Sequence, residues 1–143
     1  MGLKQIDYGT AEYNQMVQLR KQLLRLPLGL NFTEEELQKE KNDILIAAFD
    51  DDRILGCCML CPLNKYTLRL RQMAVADNLQ GKGIGASIMI FAENLARDKG
   101  YRHMLMHARD SAIGFYEKFG YKIKGTPFTE VNLPHHVMEK ELL

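Results

Sequence analysis

Apolar residues along this chain change period several times, and each change marks an element. A short strand pattern spans Leu3 to Tyr8, after which Tyr13, Met16, Val17 and Leu24, with the aliphatic stem of Arg20 between them, recur at helical spacing. Pro27 and Gly29 stop that helix. Thr33 then caps a second, short helix. Glu36 completes its capping box, and Phe32 and Leu37 flank the cap as a hydrophobic staple. Ile44 to Phe49 and Ile54 to Leu60 are apolar runs separated by Asp50-Asp51-Asp52-Arg53, the pattern of an antiparallel hairpin, which Pro62 and Asn64 close.

The strand pattern from Tyr66 to Val75 contains a break. Leu68 and Leu70 share one parity and Met73 and Val75 the other, so an unbroken strand would send one pair to solvent. A β-bulge near Gln72 returns both pairs to the core face. Beyond it, Ile84, Ile88, Phe91, Ala92 and Leu95 mark one helix face that stops at Gly100, and a strand follows over His103 to His107. Ala112, Phe115, Tyr116 and Phe119 mark a short helix ending at Gly120, followed by strands at Tyr121 to Lys124 and His136 to Leu142. The order is strand, two helices, three strands, helix, strand, helix, two strands, which predicts an α/β chain: a mixed sheet with helices on its faces.

At 143 residues and 46% hydrophobic composition, the chain suits a single domain spanning residues 1–143. Nineteen basic against eighteen acidic side chains give a net charge of +1 with no block of one sign, so neither nucleic acid nor a membrane surface is the expected partner; a small molecule is. Cys57, Cys58 and Cys61 crowd one apolar stretch and are odd in number, which argues against an internal disulfide framework and for a reducing cytoplasm. The N-terminus has no apolar core behind basic residues, Ile6 stands where a myristoylation signal needs Ser or Thr, and no apolar run is long enough for a bilayer. His103 and His107, four apart on a strand, lie roughly 13 Å apart and do not share a metal, so none is expected. The cysteines lack an identifiable base partner, and the methionines read as core filler.

The chemistry concentrates at Gln80-Gly81-Lys82-Gly83-Ile84-Gly85-Ala86, between a strand and a helix. Unpaired N–H groups and the positive end of the helix dipole favour an anion there, glycine lets a phosphate approach the backbone, and Lys82 adds charge. Lys82 is followed by Gly83 rather than Ser or Thr, which excludes a P-loop. Gly81-x-Gly83-x-x-Ala86 does match the loose dinucleotide fingerprint, although that motif belongs immediately after an early strand. A nicotinamide-dependent oxidoreductase stays as an alternative on these residues alone.

Met73-Ala74-Val75, then Gln80-x-x-Gly83-x-Gly85, an amphipathic helix, and later Phe115-Tyr116-Glu117-Lys118-Phe119-Gly120-Tyr121 resemble the GNAT superfamily of acyl-CoA-dependent N-acetyltransferases. Glu130-x-Asn132-Leu133-Pro134-His135-x-x-Met138-x-Lys140 resembles a bacterial branch of it whose members mostly have no assigned substrate. The resemblance implies a mainly antiparallel sheet of about seven strands with helices on both faces, acetyl-CoA as co-substrate, and direct attack of an amine in a ternary complex. It places Met73, Ala74 and Val75 at the acetyl and pantetheine groups beside the bulge, Gln80 to Ala86 at the pyrophosphate, Phe115 beside the cofactor, and Tyr116 near its sulfur as general acid. A backbone N–H at the bulge would stabilise charge on the thioester oxygen, and a phenol would protonate the departing thiolate.

The chain departs from that family at two points. Arg109 stands where many relatives carry Asn or Gln toward the pantetheine arm. Arg69, Arg71 and Gln72 stand where relatives often place a glutamate base, which leaves Glu130, His135 or water to take the proton. Arg20, Arg25 and Leu28 lie where the superfamily shapes its acceptor site, and two arginines there suit an anionic or carboxylate-bearing amine. The acceptor class is open: polyamine, amino sugar, amino acid, antibiotic or protein amine, and a homodimer is compatible with all of them. A non-catalytic acyl-CoA-binding module is the alternative that the missing base supports.

Overall fold

In the computed structural model, which describes residues 1–143, the strands are β1 (Gly2–Ile6), β2 (Ile44–Asp50), β3 (Arg53–Pro62), β4 (Thr67–Val75), β5 (His103–Arg109), β6 (Lys122–Glu130) and β7 (Leu133–Glu141). The helices are α1 (Ala11–Arg20), α2 (Glu34–Gln38), α3 (Ile84–Asp98) and α4 (Ile113–Glu117). The strands form one sheet in the order β1-β2-β3-β4-β5-β7-β6. β4 and β5 are parallel and joined through α3, and every other neighbouring pair is antiparallel.

Helices cover both faces. α1 buries Tyr13, Met16 and Leu19 against Leu45, Ala47, Cys57 and Met59. α3 buries Ile88, Met89, Ala92 and Ala96 on the opposite face, against Ile46, Cys58, Leu60, Leu68 and Leu70. Burial on both faces is why β2 and β3 read as unbroken apolar runs rather than alternating ones.

The expected bulge is present. Cys57 pairs with Ala74 and Met59 with Arg71, so Gln72 and Met73 together oppose Cys58, and Gln72 adopts φ 56°. Leu68 and Leu70 are buried on the α3 face, and Met73 and Val75 pack on that same core. The capping box of α2 forms as well: Thr33 Oγ1 accepts from the Glu36 N–H at 3.1 Å, and the Thr33 N–H donates to Glu36 Oε1 at 3.3 Å.

Several boundaries differ from the sequence pattern; β1 ends at Ile6 rather than Tyr8, and β7 begins at Leu133 rather than His136. The first helix is α-helical only to Arg20, continues as a π-helical turn over Lys21–Arg25, and ends in a 3-10 turn over Leu26–Leu28 with Gly29 left-handed at φ 71°. Its apolar spacing holds while its hydrogen bonding loosens. β5 runs on past His107 to Arg109. β6 extends to Glu130 because it is the exposed edge of the sheet, where Gly125 and Pro127 sit at a register irregularity between Lys124 and Phe128 instead of ending the strand.

Candidate active site

The site opens where two strands part. β4 and β5 pair from Thr67↔His103 to Leu70↔Met106 and no further, because the bulge at Gln72 carries β4 away. Beyond this fork lies a cleft of about 390 Å³ walled by Leu70 to Met73 of β4, Met106 to Arg109 of β5, and Tyr116 of α4. The edge of β4 beyond Leu70 has lost its β5 ladder partner, which leaves backbone beside Met73 without a strand to pair with.

At one end of the fork, the chain turns into α3. Gly81 and Gly83 take φ 81° and 82°, a left-handed geometry that suits glycine, and a Cβ on either would meet no protein atom within 4 Å. The backbone N–H groups of Gly81 to Ala86 find no acceptor in the chain, and the first amide of this helix to do so is Ser87, bonded to the Gly83 carbonyl at 3.0 Å. Such a run of free donors at the N-terminus of a fifteen-residue helix fits a pyrophosphate. Lys82 is exposed beside it. The Gln80 side chain is engaged locally, donating to the Val75 carbonyl at 3.2 Å and to Asp77 Oδ1 at 3.4 Å, so it braces the turn. The turn follows the fourth strand of a mainly antiparallel sheet rather than the first strand of a parallel one, which removes the dinucleotide reading.

Phe115 and Tyr116 connect this turn to the cleft. The Phe115 ring packs on Gly85, and Val75 packs there too. Tyr116 follows with its ring 5.1 Å from that of Phe115 and 6.2 Å from Tyr121, 7% exposed, on the cleft wall. Burial, with the nearby Cys58 adding to it, raises the Tyr116 phenol well above the ordinary range, so it carries its proton at any physiological pH. Its hydroxyl makes no hydrogen bond within the chain, so its donor is free.

The far wall carries the charged groups. Glu130 Oε1 lies 2.9 Å from His107 Nδ1, and Arg69 lies 3.0 Å from the same nitrogen and 3.8 Å from the carboxylate. His135 is 2% exposed; its Nδ1 donates to the Leu133 carbonyl at 2.8 Å, which turns Nε2 toward Glu130, 3.8 Å from Oε2. Burial pushes the Glu130 carboxyl up, but the His107 hydrogen bond and the charges of His107, Arg69 and His135 outweigh it and hold it below the usual range. Val131 and Asn132 turn the chain between β6 and β7 at φ 45° and 64°, as two-residue hairpin turns require, and so aim Glu130 and His135 at the same space.

Several expected residues lie elsewhere. Arg20 is fully buried under Phe32 with its guanidinium paired to Glu40 at 2.8 and 2.7 Å, and Tyr13 donates to the same carboxylate at 2.9 Å. Helical spacing, which places its stem in the core, also takes its charge there, so Arg20 is a structural cation and not an acceptor ligand. Leu28 lies outside the cleft, which Leu24 lines one turn earlier. Arg109 lines the cleft and donates to the Leu24 carbonyl at 2.9 Å, tying β5 to the end of the first helix and pointing away from a role on the pantetheine arm. Arg25 lines the same wall, 4.3 Å from the Phe32 ring.

His107 joins this cluster without being among the residues expected at the site. The signal was parity: Met104, Met106 and Ala108 alternate into the core, which puts His107 beside Arg109 on the other face of β5. His103 pairs separately with Glu139 at 3.2 Å. The three cysteines are buried free thiols, and burial pushes Cys57 and Cys61 up to about 12, which disqualifies them as nucleophiles.

The chain matches known proteins along most of these elements. Residues 41–123, from before β2 into β6, match the family described as acetyltransferase (GNAT) domain. The uncharacterized protein YyaT of Bacillus subtilis is 31% identical over 77 residues, 54% of this chain and 52% of that one, so the match spans about half the relative's length. The uncharacterized N-acetyltransferase YjcF of the same organism is 27% identical over 108 residues, 75% of each chain. Among solved structures, an aminoglycoside 6'-N-acetyltransferase complexed with coenzyme A superposes with a TM-score of 0.83 at 19% identity over 100% of this chain and 98% of its own. A GNAT family acetyltransferase from Elizabethkingia anophelis with acetyl-CoA bound gives 0.75 at 21% identity over 99% and 97%. With more than half of its length matched by the family and the whole of its fold shared, this chain belongs to the GNAT acetyltransferases.

Proposed function

We propose that the chain transfers an acetyl group from acetyl-CoA to a primary amine, by direct attack with both substrates bound. The observation that carries this is the junction of Val75, Gly85 and Phe115, which joins the free amides of Gly81 to Ala86 to the cleft containing Tyr116. Coenzyme A and acetyl-CoA, bound in two proteins of the same fold, supply the chemical class that such an array would hold. When bound, acetyl-CoA supplies an activated acetyl thioester.

The chain's own groups then have separate tasks. The amides from Gly81 to Ala86, with Lys82 beside them, hold the pyrophosphate, and the open edge of β4 at Met73, Ala74 and Val75 aligns the arm and acetyl group. Backbone N–H groups at the bulge stabilise the negative charge that grows on the acetyl oxygen. Tyr116 gives its proton to the departing sulfur and recovers one through solvent, which takes up the second proton that the attacking nitrogen loses as the adduct collapses. On the acceptor side, the ammonium must lose a proton before attack. The Glu130 carboxylate, with His107 and the free Nε2 of His135 next to it, receives that proton directly or through water. Buried free thiols fit a reducing compartment such as the cytoplasm, and no helix is long and apolar enough to cross a membrane.

Two measurements test this reading. Coenzyme A should raise the melting temperature while NAD should not, since selective binding to the native state must stabilise it. Thiol release from acetyl-CoA, followed across a panel of amines, should accelerate with an acceptor and match acetylated product one for one. Stabilisation by NAD alone, or no amine-stimulated release with coenzyme A bound, would refute acetyl transfer.

A further inference from the structure

The acceptor cleft is unevenly charged. Four guanidinium groups, of Arg25, Arg69, Arg71 and Arg109, line it against one carboxylate, that of Glu130. Glu130 is already engaged by His107 at 2.9 Å and lies 3.8 Å from Arg69. Arg109 has only a neutral partner, the Leu24 carbonyl, while Arg25 reaches Glu36 at a long 3.4 Å, at a carboxylate 41% exposed on the rim. Both guanidinium groups sit on one wall, where the first helix ends against β5, and each is largely shielded from water. Desolvation, with the like charge of Arg25 adding to it, disfavours the charged form of Arg109 and outweighs the opposing pull of Glu130. Two cations held together in a cleft, one with only a long ion pair on the rim and the other bonded to a neutral carbonyl, are relieved by an anion that accepts from both.

The complementary chemistry lies next to Arg109, whose cross-strand partner on β7 is His135. The Glu130 carboxylate, with Nε2 of His135 3.8 Å from its Oε2, can receive an ammonium, and both approach from the β6–β7 turn rather than from the helix end. A cationic pole and a proton-accepting pole therefore face one cleft.

We infer that the acceptor is an amine that also bears an anionic group, carboxylate or phosphate, held by Arg25 and Arg109 while Glu130, His107 and His135 receive its amino group. This assignment rests on the acetyl-transfer reading for what becomes of the amine, but not for what the cleft binds. It excludes polycationic amines, for which a second ammonium would meet the two arginines.

Calorimetry on the full chain saturated with coenzyme A reads the cleft without turnover. The probes are several amino acids against their carboxamides, and 2-aminoethyl phosphate against a diamine of equal length. The free acids or the phosphate should bind at least about tenfold tighter than their uncharged or cationic counterparts, the scale of one charge-assisted pair. Whether carboxylates or the phosphate give the larger preference identifies which anion the cleft takes. Arg109→Gln and Arg25→Gln should each shrink that preference toward unity, Arg109→Lys should restore part of it, and Arg53→Gln, at an exposed hairpin turn, should leave it unchanged. Carboxamides or the diamine binding as well as the anions, or no anionic amine binding at all, would overturn the assignment. Anionic amines that bind selectively yet never stimulate thiol release would instead refute acetyl transfer and leave the cleft assignment standing.

Discussion

A Cβ built on Gly85 would stand 3.2 Å from Cζ of Phe115, so the ring of Phe115 rests directly on the first turn of α3. That contact joins the glycine turn before α3, where the pyrophosphate is proposed to bind, to α4, the helix that presents Tyr116. Gly85→Leu should therefore push Phe115 away and displace Tyr116 with it, weakening coenzyme A binding by about tenfold or more on the scale of a strained packing contact. Gly114→Ala, in the same short helix but with open space around it, is the control and should be neutral or slightly stabilising, by roughly 0.5 kcal/mol. Titration calorimetry with coenzyme A and thermal unfolding of both variants make the comparison.

Gly83 begins α3 in a left-handed conformation with open space where a side chain would go. Gly83→Ala should cost about 1 kcal/mol of stability from its backbone alone. Coenzyme A affinity should fall further than stability does, because the added methyl stands where the phosphates approach. A variant that lost stability but kept full affinity would move the pyrophosphate away from this turn.

The Arg20–Glu40 pair is a structural cross-link between α1 and the segment after α2. Glu40→Ala leaves an unpaired guanidinium in the core and should cost about 3–5 kcal/mol, read as a lower urea midpoint. Arg20→Met with Glu40→Leu removes both charges and should recover much of that loss with acceptor affinity unchanged. A specific loss of acceptor binding in the stable double variant would return Arg20 to the acceptor site.

The Glu130 carboxyl has its folded-state pKa depressed by His107, Arg69 and His135 against the opposing effect of burial. A depressed carboxyl contributes stability at pH above its unfolded value, about 4.3, and that contribution disappears as pH falls through the folded value. Wild type should therefore exceed Glu130→Gln in stability at neutral pH, and the two denaturation curves should converge in acid. A difference that grew on acidification would contradict the cluster. The same variant should lower kcat for acetyl transfer far more than it changes coenzyme A affinity.

Much of this was legible from residue order because the fold depends on local rules. The parity break between Leu70 and Met73 required a bulge, Thr33 and Glu36 signalled a helix start, and the glycines at 81 and 83 permit the left-handed backbone they adopt. Where the sequence reading fell short, the deciding contact was distant in the chain. Arg20 shows helical spacing, yet nothing near it reveals that Glu40 neutralises it in the core. His107 is unremarkable until β6 returns Glu130 to it from 23 residues away. β6 itself was read short because an exposed edge strand tolerates Gly125 and Pro127, which would break a central one.

Under the proposed mechanism Tyr116 protonates the departing thiolate of acetyl-CoA held at the Gly81 to Ala86 turn. The most direct measurement is amine-stimulated thiol release by wild type and Tyr116→Phe, with coenzyme A affinity determined for both. The account predicts that kcat falls by about a hundredfold or more, the usual loss on removing a general acid, while coenzyme A affinity stays within about twofold. An unchanged kcat across the pH range in Tyr116→Phe would contradict it.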